Sequence, residues 1–183
     1  MSIVVLLYTQ KLCFYHCLIV YLQGKLLGMQ GQTLTAKTYS QSQTESLAQI
    51  IGSNLRGGEC IELVADLGGG KTTFTRGLVK GAGSDDHVAS PTFTISKIYD
   101  APHFEIHHFD FYRLSTPGLI AHELTDVIDD SKVVIIVEWG EVVNKVLPKH
   151  RMTITISVID EESREITIQF PKEYSYMLQG VTA

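Results

Sequence analysis

Ala65-Asp66-Leu67-Gly68-Gly69-Gly70-Lys71-Thr72-Thr73 is the segment whose residue types and spacing point most directly to chemistry. It follows the pattern G-x-x-x-x-G-K-[S/T] everywhere except at its first position, where Ala65 stands for glycine. In such a loop the backbone N–H groups turn inward on phosphate oxygens, and glycines keep side chains out of the way. Gly68, Gly69, Gly70 and Thr73 would form the cradle. Lys71 would reach the β- and γ-phosphates of a nucleotide as a compact cation, and Thr72 would offer its hydroxyl to Mg²⁺. If the first position required left-handed backbone, Ala65 would cost on the order of 1 kcal/mol.

A phosphate loop needs a second carboxylate for the metal and the attacking water, usually at the end of a neighbouring apolar strand. Val133-Val134-Ile135-Ile136-Val137-Glu138 ends that way, which makes Glu138 a candidate metal ligand. In His108-Phe109-Asp110-Phe111-Tyr112-Arg113-Leu114, strand alternation puts His108, Asp110 and Tyr112 on one face and the two phenylalanines on the other. Asp110 then either reaches toward metal or water or pairs with Arg113. Trp139, the single tryptophan, is open to two readings: a core residue, or a contact to nucleotide or partner. His103, His107 and His108 alternate faces without a nearby cysteine, which disfavours a zinc site.

The elements that must position these groups are legible around them. Leu34, Ala36 and Thr38 alternate with polar residues as a first strand. Ser42 and Glu45 have capping-box spacing, and Leu47, Ile50, Ile51 and Leu55 continue at helical spacing up to Gly57-Gly58. A short apolar strand, Cys60 to Ala65, enters the glycine-rich loop, and a helix leaves it and closes at Gly81 and Gly83. Thr94–Tyr99 and Phe104–Phe111 are expected to be strands joined by a turn at Asp100-Ala101-Pro102. Thr116 with Pro117 predicts a helix start. Val133–Val137 predicts a strand buried on both faces, and Met152–Ile159 with Glu165–Phe170 a hairpin across Asp160–Ser163. The pattern predicts an α/β, phosphate-loop NTPase-like three-layer fold with a mixed parallel and antiparallel sheet.

Composition sets the bounds. The chain has 183 residues, 44% hydrophobic and 19% charged, which is globular rather than disordered. Fifteen Lys and Arg against 20 Asp and Glu give a net charge of -5, a poor balance for a stand-alone nucleic-acid binder. Cys13, Cys17 and Cys60 make no disulfide framework, and a reducing cytoplasm is the expected home. Residues 1–28 carry two apolar runs, Ile3–Tyr8 and Leu12–Leu22, both shorter than the ~20 residues needed to span a bilayer. They are expected to be a non-essential extension, disordered or arising from an upstream start, ahead of a single domain over 29–183 with no membrane role.

Taken together, the glycine-rich loop, Arg76-Gly77, Ser90-Pro91-Thr92-Phe93, the His108–Leu114 motif and Val137-Glu138-Trp139 resemble the TsaE (YjeE) family from about Thr33 to about Phe170. The resemblance implies a small Mg²⁺-dependent ATPase supporting threonylcarbamoyladenosine formation in tRNA next to the anticodon. It implies TsaD and TsaB as partners, with tRNA engaged indirectly or weakly. On that likeness Thr72 and Glu138 match the family's Mg²⁺ positions, Asp110 a residue needed for hydrolysis, and Thr92 a switch-like loop near the γ-phosphate. Thr44 and Arg164 are the nearest matches to its further nucleotide contacts. The chain departs from the family at Ala65, in Gly118-Leu119-Ile120-Ala121 and Leu124, and in residues 1–28. A small-molecule kinase and a non-hydrolytic nucleotide switch are the alternatives; the first lacks an arginine-rich lid segment.

Because every candidate site residue lies later in the chain, deleting residues 1–28 should leave the fold and ATP binding intact. Matched thermal melts of the full and shortened chains check this; a large drop in melting temperature would place the extension in the core.

Overall fold

The computed structural model describes residues 31–116 and 118–181. The extension 1–28 and Pro117 therefore lie outside the described residues. Seven strands form one mixed sheet: β1 (Gln32–Thr38), β2 (Cys60–Val64), β3 (Ser96–Asp100), β4 (Glu105–Asp110), β5 (Val133–Glu138), β6 (Met152–Val158) and β7 (Arg164–Phe170). Their order is β1-β7-β6-β2-β5-β4-β3. The centre, β6-β2-β5-β4, is parallel, and β1, β7 and β3 add antiparallel flanks.

Helices α1 (Gln41–Gly52) and α2 (Lys71–Gly81) cover one face, and α3 (Ile120–Val127) packs on the other. The β-branched run of β5 serves both layers. Val134 and Ile136 enter the core under α1 and α2, while Val133, Ile135 and Val137 enter the core under α3. Period-two alternation makes this split, and each buried aliphatic side chain contributes about 1.5–3 kcal/mol. Glu62, inside β2, is kept in this apolar setting by Arg151, whose Nε donates to its carboxylate at 2.7 Å. Cys60 is buried, which pushes its thiol up to about 12 and leaves it unreactive at neutral pH.

Element boundaries differ from the sequence reading at several ends: α1 closes at Gly52, short of Gly57-Gly58, and three starts are set by local contacts. The N-cap of α1 is Ser40, not Ser42: its Oγ accepts from Gln43 N–H, and the Gln43 side chain accepts in turn from Tyr39 N–H at 2.8 Å. Ser40-x-x-Gln43 and Ser42-x-x-Glu45 are equivalent as patterns, and the earlier pair is the one that meets the end of β1. Strand β3 begins at Ser96 because Thr94 and Ile95 N–H both turn back onto Pro91 C=O, with Ile95 at φ 69°. Helix α3 starts at Ile120 without a side-chain cap, since Gly118 at φ 53° holds the chain out of the helix after Thr116. Among the described residues no helix is long and apolar enough to cross a membrane.

Helices α1 and α2 meet backbone to backbone. A Cβ on Gly77 would stand 2.3 Å from Glu45 C=O, and one on Gly81 2.1 Å from Gln49 C=O. Neither neighbour can yield without moving α1, so Gly77→Ala should lose about 1–3 kcal/mol. Denaturant titration checks this; an unchanged midpoint would show that the helices separate freely.

Candidate functional site

Three parallel strands end on one edge of the sheet and converge there. Val64 closes β2 and leads into the glycine-rich loop, Asp110 closes β4, and Glu138 closes β5. In register, Leu63 pairs with Glu138, and Glu138 with Asp110. Ligands of open α/β sheets bind outside these carboxyl ends. A cavity of about 240 Å³ lies there, lined by Gly68 to Thr73, Thr92, Asp110, Glu138 and Trp139 among others.

The loop is built for close backbone approach. Gly70, the residue before α2, has φ 114° and gives the helix no side-chain cap. The first N–H groups of α2 are thus left for an anionic ligand. A Cβ on Gly69 would meet the Ala65 methyl at 2.8 Å and Asp66 C=O at 3.0 Å. Among the described residues the only non-glycine positions at positive φ are Ile95 and Trp139. Ala65 therefore carries no left-handed strain, and the expected cost of replacing glycine there does not arise. The Lys71 ammonium donates to Ala65 C=O at 2.9 Å and Asp66 C=O at 3.1 Å, and stands 4.6 Å from the centre of the Trp139 ring.

Asp110 is buried and fully engaged. Its Oδ2 accepts from the Thr92 hydroxyl and its Oδ1 from Tyr112 N–H at 2.9 Å. Arg113 lies instead over the Phe93 ring, 4.3 Å from its centre, so the alternative pairing of Asp110 with Arg113 is not made. The bond from Thr92 ties the Ser90–Phe93 segment to the strand ends. Ile95, the strained residue just beyond that segment, fixes the turn by accepting from Asp110 N–H. Trp139 packs against the α3-side core, as the first of its two readings expects; its ring also lines the cavity and lies 5.1 Å from Tyr112.

Glu138 is buried, and its Oε1 accepts from His108 Nε2 at 3.0 Å. The histidines of the disfavoured zinc reading part ways: His108 turns to Glu138 and His107 to Glu105. Among the described residues no group of three or more His, Cys, Asp or Glu side chains converges on a metal position. The side-chain metal donors the cavity offers are oxygens, among them the Thr72 hydroxyl and the Glu138 and Asp110 carboxylates. Such a set fits a hard cation like Mg²⁺, which binds through one or two carboxylates and completes its shell with water and phosphate.

A second cavity, about 600 Å³, adjoins the loop and holds the last two candidates, Thr44 and Arg164. Arg164 Nε donates to Gly69 C=O at 3.1 Å, clipping the loop to the β6–β7 turn. Thr44 is buried and its hydroxyl is engaged by Thr38 and by Ser40 C=O. Ser40, Gln41, Ser42, Glu161 and Glu162 complete the lining. Sequence reasoning did not single them out for the site, although the serines at the helix start were the available signal. The contact of His108 with Glu138 was likewise missed: the sequence placed the histidine on a face with Asp110 and in a disfavoured zinc set.

This edge, with its uncapped helix, glycine-rich loop and inward lysine, defines a phosphate-loop NTPase-like α/β fold. The family model "Threonylcarbamoyl adenosine biosynthesis protein TsaE" matches residues 38–166, and the chain belongs to the TsaE family. It is 31% identical over 131 residues to the tRNA threonylcarbamoyladenosine biosynthesis protein TsaE of Rickettsia typhi, covering 71% of this chain and 90% of that one. The Bacillus subtilis TsaE is 34% identical over 132 residues, 72% of this chain and 82% of that one. The crystal structure of Bacillus subtilis YdiB superposes with a TM-score of 0.67 at 29% identity, over 84% of this chain and 95% of that one.

The lack of room for a Cβ on Gly69 beside the Ala65 methyl gives a direct test of the loop. Gly69→Ala should destabilise the chain by about 1–3 kcal/mol through overpacking. Ala65→Gly should recover part of that loss in the double variant, since it removes the nearer obstacle. Thermal melts of both single variants and the double check this, and strict additivity would mean the two residues do not meet.

Proposed function

We propose that this chain is a Mg²⁺-dependent ATPase that supports threonylcarbamoyladenosine modification of tRNA next to the anticodon, acting with TsaD and TsaB in the cytoplasm. The observation that carries the reading is the placement of the loop, Lys71, Asp110 and Glu138 around one cavity at the strand ends. The family assignment and the relatives' names support the tRNA-modification role. The net charge of -5 agrees with tRNA being engaged indirectly.

The chemistry follows from the residues. The loop N–H groups and Lys71 bind and orient the β- and γ-phosphates, so catalysis is positioning plus charge neutralisation. Lys71 would exchange the two carbonyls it now contacts for phosphate oxygens, a charge-assisted bond replacing two neutral acceptors. Thr72 and Glu138 would hold Mg²⁺, which would supply charge to offset that developing on the phosphate oxygens. Asp110 would orient a water and, through its bond from Thr92, let the Ser90–Phe93 segment sense the γ-phosphate. Ser40, Thr44 and Arg164 border the space left for the nucleoside. TsaD would carry the threonylcarbamoyl transfer itself.

Three substitutions test this. Lys71→Ala should remove most ATP affinity. Glu138→Gln should weaken Mg²⁺ dependence, and Asp110→Ala should keep ATP affinity while slowing phosphate release. Loss of turnover with affinity intact marks an interaction made mainly in the transition state. Nucleotide titration and phosphate release are measured on the same variants with TsaD and TsaB present. Unchanged affinity in Lys71→Ala sinks the binding site. Less than a tenfold slowing in both carboxylate variants, roughly 1.4 kcal/mol of barrier, sinks the catalytic assignment.

A further inference from the structure

Glu138 is held by a buried thread of side chains that no part of the ATPase reading requires. Its Oε1 accepts from His108 Nε2 at 3.0 Å, with the His108 side chain fully buried and that of Glu138 3% exposed. A carboxylate only accepts, so Nε2 is the nitrogen that carries hydrogen in this contact. The other ring nitrogen, Nδ1, lies 3.4 Å from the Tyr99 hydroxyl, which also lies 3.3 Å from Ala89 C=O. Tyr99 is itself buried, and burial pushes its phenol up to about 12, so it keeps its proton at neutral pH. Its one proton can be directed at Nδ1 or at the carbonyl immediately before Ser90, so the hydroxyl stands in hydrogen-bond reach of both.

Two threads therefore run from residues 89–93 to the strand ends. One is Thr92 to Asp110. The other is Ala89 to Tyr99 to His108 to Glu138. The register explains the second: His108 pairs with Ile136 and Asp110 with Glu138, so His108 stands two residues back on the same face as the carboxylates. Its ring spans that gap and fixes one oxygen of Glu138.

We infer that His108 is a positioning residue for Glu138: by occupying Oε1 it sets the carboxylate rotamer in the cavity, and Tyr99 holds the ring so that Nε2 faces Glu138. This rests on the reading of Glu138 as a Mg²⁺ ligand. Hydrogen-bonded partners of this kind orient metal-binding side chains, and their loss commonly costs 10- to 100-fold in metal affinity.

The experiment is ATP binding by calorimetry across a Mg²⁺ series and in EDTA, with melts to confirm folding. In His108→Leu, ATP affinity in EDTA should match wild type, while the Mg²⁺ concentration at half effect rises about tenfold or more. His108→Gln, which carries an N–H donor near the place of Nε2, should return within about threefold of wild type, a rescue that a merely space-filling role would not give. In a Glu138→Gln background, His108→Leu should add no further shift. An unchanged Mg²⁺ midpoint in His108→Leu, or a Gln variant as impaired as Leu, overturns the inference. If His108→Leu does not fold, His108→Gln and Tyr99→Phe decide. A near-wild-type midpoint for Gln with about a threefold rise for Phe supports it, and any other pair of results overturns it. ATP binding by wild type that ignores Mg²⁺ would instead overturn the parent reading, and this inference with it.

Discussion

The parallel register of β2, β5 and β4 is the constraint on which the site depends. Leu63 beside Glu138, and Glu138 beside Asp110, bring the end of the strand that feeds the loop level with two carboxylates from distant parts of the chain. Strand side chains alternate with period two, so a slip of one residue would turn Asp110 and Glu138 toward the α3 layer. The apolar split of β5 guards against that slip. Val134 and Ile136 would leave one core, and Val133, Ile135 and Val137 the other. The energy that fixes the site is thus the ordinary burial energy of the central strands.

On that frame the polar groups are arranged so that none is left unpaired. Among the described residues every buried side-chain nitrogen or oxygen has a hydrogen-bond partner. Lys71 rests on the carbonyls of its own loop, Asp110 on Thr92 and Tyr112, and Glu138 on His108. An unpaired buried polar group costs about 1–3 kcal/mol, so this pairing keeps the cavity's polar lining from opening the fold. The partners of Lys71 are weaker than phosphate oxygens would be, which leaves the ammonium available for exchange. The group with least to gain by exchange is Asp110, whose two oxygens both accept already.

Strain sits where the site is built. Ile95 and Trp139 hold left-handed backbone without being glycine, one at the end of the segment that carries Thr92, the other directly after Glu138. A β-branched residue there is an unusual expense, on the order of 1–3 kcal/mol. Both stand beside strand ends that carry the site, and both are over-determined by neighbours: Ile95 by Pro91 and Asp110, Trp139 by its packing on the α3-side core.

The sequence alone determined the fold class, the glycine-rich loop between strand and helix, and the identity of the charged residues around it. Those features are local or periodic: glycines at fixed spacing, a lysine before a threonine, five β-branched residues ending in Glu138. It also located Asp110 but left a pairing with Arg113 open, and only the structure showed that Asp110 bonds Thr92 while Arg113 lies over Phe93. The N-cap of α1 went to Ser40 because two serines offered the same pattern and the strand before them decided between the two. The burden expected of Ala65 vanished because its backbone angle is a property of the folded loop, not of the residue type. Tertiary structure alone decided that His108 meets Glu138, that Tyr99 links it to Ala89, and that Arg164 reaches Gly69. Those contacts join residues far apart in the chain, and nothing in local propensity or spacing records which distant side chain will arrive at a buried oxygen.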